Sequence, residues 1–92
     1  MKIIFEYKGT MVKITKNLSE SFEFSRPIKT VRDALAFLNE RYNHELSQHI
    51  DEDINVILKR DDNPGILIKD EGIDEELGEV NTITFFYPFR GG

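Results

Sequence analysis

The sequence predicts an α+β domain in two layers: a mixed sheet of four to five strands with one main helix packed on one of its faces. Three features carry that expectation. Residues 2–8 (KIIFEYK) alternate with the two-residue period of a strand that buries one face. Residues 30–42 change to helical spacing behind a capping signal. Residues 82–89 (TITFFYPF) are apolar at both parities, which suits a strand in the middle of a sheet.

In the first strand Ile3, Phe5 and Tyr7 fall on one side and Lys2, Glu6 and Lys8 on the other. Ile4 breaks the alternation and implies some cover on the second face. Gly9 and Thr10 signal a turn, and the β-branched content of residues 11–16 (MVKITK) favours a short strand. Residues 21–26 (SFEFSR) alternate again with Phe22 and Phe24 inward, and Pro27 ends them, so a first hairpin is expected. Thr30 with Asp33 three places on has the form of a capping box. Val31, Ala34, Leu35, Leu38 and Tyr42 then make one apolar stripe, with Phe37 at its margin. Arg32, Asp33, Asn39, Glu40 and Arg41 face outward, and Asn43 is a reasonable stop. Residues 44–52 are polar, with Leu46 and Ile50 as the apolar points of a short helical turn. Residues 54–58 (INVIL) read as a strand, 61–65 (DDNPG) as a turn cluster and 66–68 (ILI) as another short strand. Residues 70–77 cross the sheet edge with at most one helical turn. The order is ββαβββ. The first and last strands, apolar on both faces, would lie side by side and parallel.

Ninety-two residues make a single domain, 1–92, with residues 89–92 expected to be a flexible C-terminal tail. The absence of cysteine excludes a disulfide framework, a cysteine zinc site and a thiol nucleophile from this chain. The basic opening is not followed by a long apolar run, so no signal peptide is expected, and no segment has the roughly 20 apolar residues of a membrane span. A cytoplasmic protein is the expectation. The net charge of −5 is uneven. Residues 1–32 hold seven Lys/Arg against three Asp/Glu, and residues 33–92 hold five against fourteen. That balance argues against a nucleic-acid partner, which needs a basic footprint. The acid-rich stretch 70–79, with six acids and no base, reads first as a solvated loop and second as a docking surface for a basic partner.

No residue pattern marks an enzyme acting alone. His44 and His49 are five apart, not the four that would bring two ligands onto one helix face. Acids at 51–53 and 61–62 lack the glycine and the final glutamate of a calcium loop. No P-loop, dinucleotide fingerprint or nucleophile–base order is present. No metal and no cofactor are expected. The chemistry instead points to the end of the chain, Arg90, Gly91 and Gly92. Two residues without Cβ atoms make a slim tail that can thread a channel too narrow for other side chains, bringing a terminal carboxylate to another enzyme.

With that tail, the strand order and the segments TVRDAL (30–35), INVIL (54–58), LGEV (77–80) and ITFFYP (83–88), the whole chain resembles the β-grasp, ubiquitin-like proteins. More narrowly it resembles their sulfur-carrier branch: the small subunit of molybdopterin synthase, the thiamine-pathway sulfur carrier and the small archaeal modifier proteins. Residues 9–19 have no counterpart in that pattern, and Arg90 is more similar to ubiquitin's tail than to that of the carriers. The resemblance implies that an ATP-dependent activating enzyme adenylates the Gly92 carboxylate. Sulfur then gives a thiocarboxylate, for molybdopterin biosynthesis in the first instance, or a lysine of a target protein gives an isopeptide. It implies that Gly91, Arg90, Phe89 and Pro88 are read by the partner's channel, and that Phe86 with Ile4 forms a docking patch. The implied partners are the activating enzyme, the large subunit of molybdopterin synthase or another sulfur acceptor, and target proteins. A non-covalent β-grasp interaction module remains a third reading.

Overall fold

The computed structural model describes residues 1–25, 28–43, 45, 55–68 and 74–86. In chain order they form β1 (Lys2–Tyr7), α1 (Thr10–Thr15), β2 (Ser19–Glu23), α2 (Val31–Arg41), β3 (Asn55–Arg60), β4 (Ile66–Ile68) and β5 (Val80–Phe86). The five strands make one sheet in the order β2-β1-β5-β3-β4. β1 and β5 run parallel, and every other neighbouring pair is antiparallel. The expected mixed sheet, the central last strand and its parallel pairing with the first are all present.

Pleat alternation decides what each strand buries. Ile3, Phe5 and Tyr7 of β1 stand beside Asn81, Ile83 and Phe85 of β5, and Leu58 and Val56 of β3 pair with Ile83 and Phe85. All eight are buried. Across this face lies α2, which contributes Val31, Ala34 and Leu38, all fully buried and on one helical stripe. Thr30 begins α2 with a complete capping box. Its hydroxyl accepts from the Asp33 amide at 3.3 Å, while the Asp33 carboxylate accepts from the Thr30 amide at 3.3 Å. Phe37, at the margin of the stripe in sequence, seals the β2 edge. Its ring meets Phe22 and Phe24 edge-on, with centroids 5.1 and 5.0 Å away.

The expected strand over residues 11–16 is instead the short helix α1. Its β-branched residues mislead because burial at this place follows a helical period: Met11 and Thr15, four apart, both face the core. Gly9 enters the helix at φ 61 and Lys16 leaves it at φ 62, a left-handed pair that sterics keep out of a continuing strand. The Thr15 hydroxyl donates to the Met11 carbonyl at 3.0 Å. β1 and β2 therefore pair antiparallel, as the hairpin reading requires, but a helical turn replaces the plain connection. The strands β2 and β5 also start earlier than the sequence suggests, at Ser19 and Val80. The helical turn expected between 44 and 52 lies almost wholly outside the described residues.

At the opposite end of the sheet, Asn81 holds the entry to β5. It is fully buried, its carbonyl accepts from the Gly78 amide at 2.7 Å, and its amide donates to the Gly78 and Lys2 carbonyls at 3.0 and 3.3 Å. A Cβ at Gly78 would stand 2.4 Å from the Asp61 carboxylate, so a side chain there would push that carboxylate aside. That carboxylate accepts from the Val80 amide at 3.1 Å. Replacing Asn81 by alanine would strand one donor and two acceptors in the interior. Asn81→Ala is expected to lower unfolding stability by about 3 kcal/mol with an unchanged m-value, as read by urea denaturation.

Candidate functional site: the rim where β5 ends

The sequence-predicted site residues Pro88, Phe89, Arg90, Gly91 and Gly92 lie outside the described residues, as does the side chain of Phe86. What the structure describes is the place from which they continue. β5 ends at Phe86, opposite Asn55 of β3. On its other side the Lys8 amide donates to the Phe85 carbonyl at 3.2 Å, and the Tyr7 amide donates to the Leu18 carbonyl at 2.9 Å. The end of β5, the end of β1 and the loop after α1 thus form one rim. Six residues of extended chain reach at most about 20 Å, so Gly92 must stay within that distance of the rim.

Ile4, the second docking residue expected, is half-buried on the sheet face away from α2, with Ser21 and Thr82 as its neighbours in register. On the same face Val80 and Leu67 are 47% and 45% exposed. The described positions of β5 on this face are Val80, Thr82 and Thr84. The face is therefore mixed, and Ile4 belongs to a band of separated apolar residues.

Beneath the rim sits a polar cluster that the sequence did not announce. Tyr7 is buried with its ring stacked on Phe85, centroids 5.9 Å apart. Its hydroxyl donates to the Glu20 carboxylate at 3.0 Å, and the Tyr42 hydroxyl donates to the same oxygen. Arg41 reaches the other Glu20 oxygen at 3.4 Å and lies over the Phe22 ring, 5.0 Å from its centroid. Glu20 joins β1, β2 and the last turn of α2 in this way. Sequence alternation hints at its place, since Glu20 pairs with Phe5 and so falls on the core face of β2.

At the far end of the sheet, two of the described acids of the acid-rich stretch pair with the chain's own arginines. Asp74 pairs with Arg32 at 2.9 Å and Glu75 with Arg60 at 3.0 Å. The Arg32 guanidinium holds the Asp74 carboxyl below the usual carboxylate range. Among the described residues no group of three His, Cys, Asp or Glu is placed to hold a metal ion, and no helix is long and apolar enough to cross a membrane. His44 and His49 lie outside the described residues.

Burial, reinforced by the Glu20 carboxylate, pushes the Tyr7 phenol well above its ordinary value, and Tyr42 moves the same way. A raised phenol means that the fold favours the protonated form. That stabilisation is complete below about pH 10 and is lost as pH climbs above it. Tyr7→Phe is therefore expected to flatten the alkaline decline of unfolding free energy, measured by urea titration in a pH series upward from neutrality.

No protein-family model matches the chain, and no curated protein matches it in sequence. Solved structures do match in shape over nearly the whole length. SAMP1 from Haloferax volcanii superposes with a TM-score of 0.71 at 16% identity, covering 100% of both chains. The small archaeal modifier protein 1 from Methanosarcina acetivorans gives 0.70 at 17% identity, covering 99% of this chain and 96% of that one. A Pyrococcus furiosus protein assigned as molybdopterin converting factor, subunit 1, gives 0.67 at 20% identity, covering 96% and 98%. The chain thus has the β-grasp, ubiquitin-like fold, shared end to end with small archaeal modifier and molybdopterin converting factor proteins.

Proposed function

We propose that this protein is a ubiquitin-like sulfur carrier whose reactive group is the Gly92 carboxylate. A carboxylate is a poor electrophile at neutral pH. Attack of its oxygen on the α-phosphorus of ATP gives an acyl-adenylate and releases pyrophosphate. A sulfide equivalent then attacks the acyl carbon and expels AMP, leaving a thiocarboxylate. The chain supplies no acid, base or nucleophile in this scheme; positioning and charge stabilisation come from its partners. Molybdopterin biosynthesis is the first candidate destination for the sulfur, since one structural neighbour is assigned as a molybdopterin converting factor subunit. In that pathway the tail would enter the larger synthase subunit.

The observation that carries the reading is the central, parallel place of β5. It puts the last described residue at the rim of a rigid body, with the glycine pair six residues beyond. Gly91, Arg90, Phe89 and Pro88 would be read by the partner's channel, and Ile4 with Phe86 would form a docking patch. A second reading starts from the same adenylate. The amine of a lysine on another protein attacks in place of sulfide, AMP leaves, and an isopeptide joins Gly92 to the target. The names of the two archaeal modifier neighbours favour it, as does Arg90 ahead of the glycines.

Intact-mass analysis after incubation with an activating enzyme, ATP and a sulfur source is expected to show one oxygen replaced by sulfur. Conjugates in cells that vanish on deletion of Gly92 would select the second reading. Gly92→Ala is expected to leave thermal stability unchanged and to cut adenylation at least about tenfold, because a methyl group crowds a channel shaped for glycine. Undiminished pyrophosphate release by that variant would remove the steric argument.

A further inference from the structure

The net charge of −5 suggests a molecule that acidic surfaces repel. The described rim is mixed, since Glu6, Glu40 and Glu45 also stand at this end, but three lysines cluster around α1. Lys8 follows β1, Lys13 lies on α1 and Lys16 caps it, and all three are exposed. Among the described residues none of the three makes an ion pair with an acid. Glu20, the acid of β2 on the core face, is already bonded to Tyr7, Tyr42 and Arg41. Beside these lysines stands Leu18, the most exposed of the exposed large apolar residues at 76%. Its carbonyl is fixed by the Tyr7 amide, so the leucine is presented from an anchored backbone.

Position makes this combination informative. α1 and Leu18 connect the end of β1 to the start of β2, which is the rim where β5 ends. Described acids at 61, 62, 74, 75, 76 and 79 lie around the opposite end, one strand length away, where the Lys2 amide meets the Glu79 carbonyl. The six residue steps of β5 from Val80 to Phe86 separate the two ends by about 20 Å. Gly92 is tethered to the first end, within about 20 Å of it. A partner that acts on Gly92 therefore meets, near the tail, a local group of lysines with an apolar point beside them.

Resting on the carrier reading above, we infer that Lys8, Lys13, Lys16 and Leu18 form the seat for the enzyme that activates Gly92. That enzyme presents Asp and Glu carboxylates around an apolar socket that takes Leu18. The lysines speed and orient encounter, and Leu18 is the anchor that slows departure. Residues 9–19 thereby have a role in partner choice.

The test uses the full chain, the ATP-dependent activating enzyme of its own cells, and pyrophosphate release as the readout. The triple variant Lys8→Glu, Lys13→Glu, Lys16→Glu is expected to raise the KM for the carrier at least about tenfold with little change in kcat. It should also abolish the rise of KM with salt expected for the unmodified protein. Leu18→Ser should raise KM while keeping that salt dependence. Asp62→Lys with Glu79→Lys, at the far end, should leave KM unchanged. If the glutamate variant does not fold by circular dichroism, the three Lys→Gln changes carry the same test with a smaller shift. Normal activation of the unmodified protein, with KM unaltered in the folded lysine variants, overturns the seat and leaves the carrier reading standing. Absence of any adenylation of the unmodified protein overturns both.

Discussion

The parallel pairing of β1 with β5 is the constraint on which the remaining architecture depends. Parallel neighbours cannot be joined by a tight turn, so the chain must leave β1, build the other elements and return. Contacts at this seam are long in sequence, as in the bond from Asn81 to Lys2, 79 positions apart. Ile3, Phe5, Tyr7, Ile83 and Phe85 meet along it, and each is buried. At about 1.5–3 kcal/mol for each large apolar side chain removed from water, this seam is a major share of the core. α2 covers it with three buried residues, and Phe37 closes the side toward β2.

From that seam follows the division of the molecule into two ends. Where β1 and β5 begin, buried hydrogen bonding by Asn81 and ion pairs from Arg32 and Arg60 fasten the loop of residues 74–79 to the body. Exposed ion pairs of this kind contribute little each. Most of the fastening therefore resides in Asn81 and in the backbone bonds of Leu77 to Lys29 and Val31 to Glu75. Where the two strands end, Glu20 collects two tyrosines and an arginine under the rim, and α1 wraps the outside. Under the carrier reading, such a base would serve the tail, because an ordered support lowers the entropy lost on docking.

Most of this arrangement could be read in the residues, because it is written in short-range periodicity. The alternation of Ile3, Phe5 and Tyr7, the capping pair Thr30 and Asp33, and the stripe of Val31, Ala34 and Leu38 each depend on neighbours only a few positions away. Resemblance through those segments and the glycine pair reached the β-grasp fold, which superposition on solved structures supports at identities of 16 to 20%. The misreading of residues 11–16 has the opposite origin. Their β-branched content favours a strand, yet the space between β1 and β2 admits one helical turn with Met11 and Thr15 directed inward, and burial outweighs propensity.

By itself, then, the order of residues determined the class of the domain, its main helix, the centrality of its last strand and the glycine pair that suggests a carrier. Those features need only local period and composition. Only tertiary structure decided that Glu20 would gather Tyr7, Tyr42 and Arg41, that Asn81 would hold the entry to β5, and that the lysines around α1 would share a rim with the end of that strand. Each of these joins positions far apart in the chain, and such distances close only when the parallel seam and the helix laid across it bring the ends of several strands together.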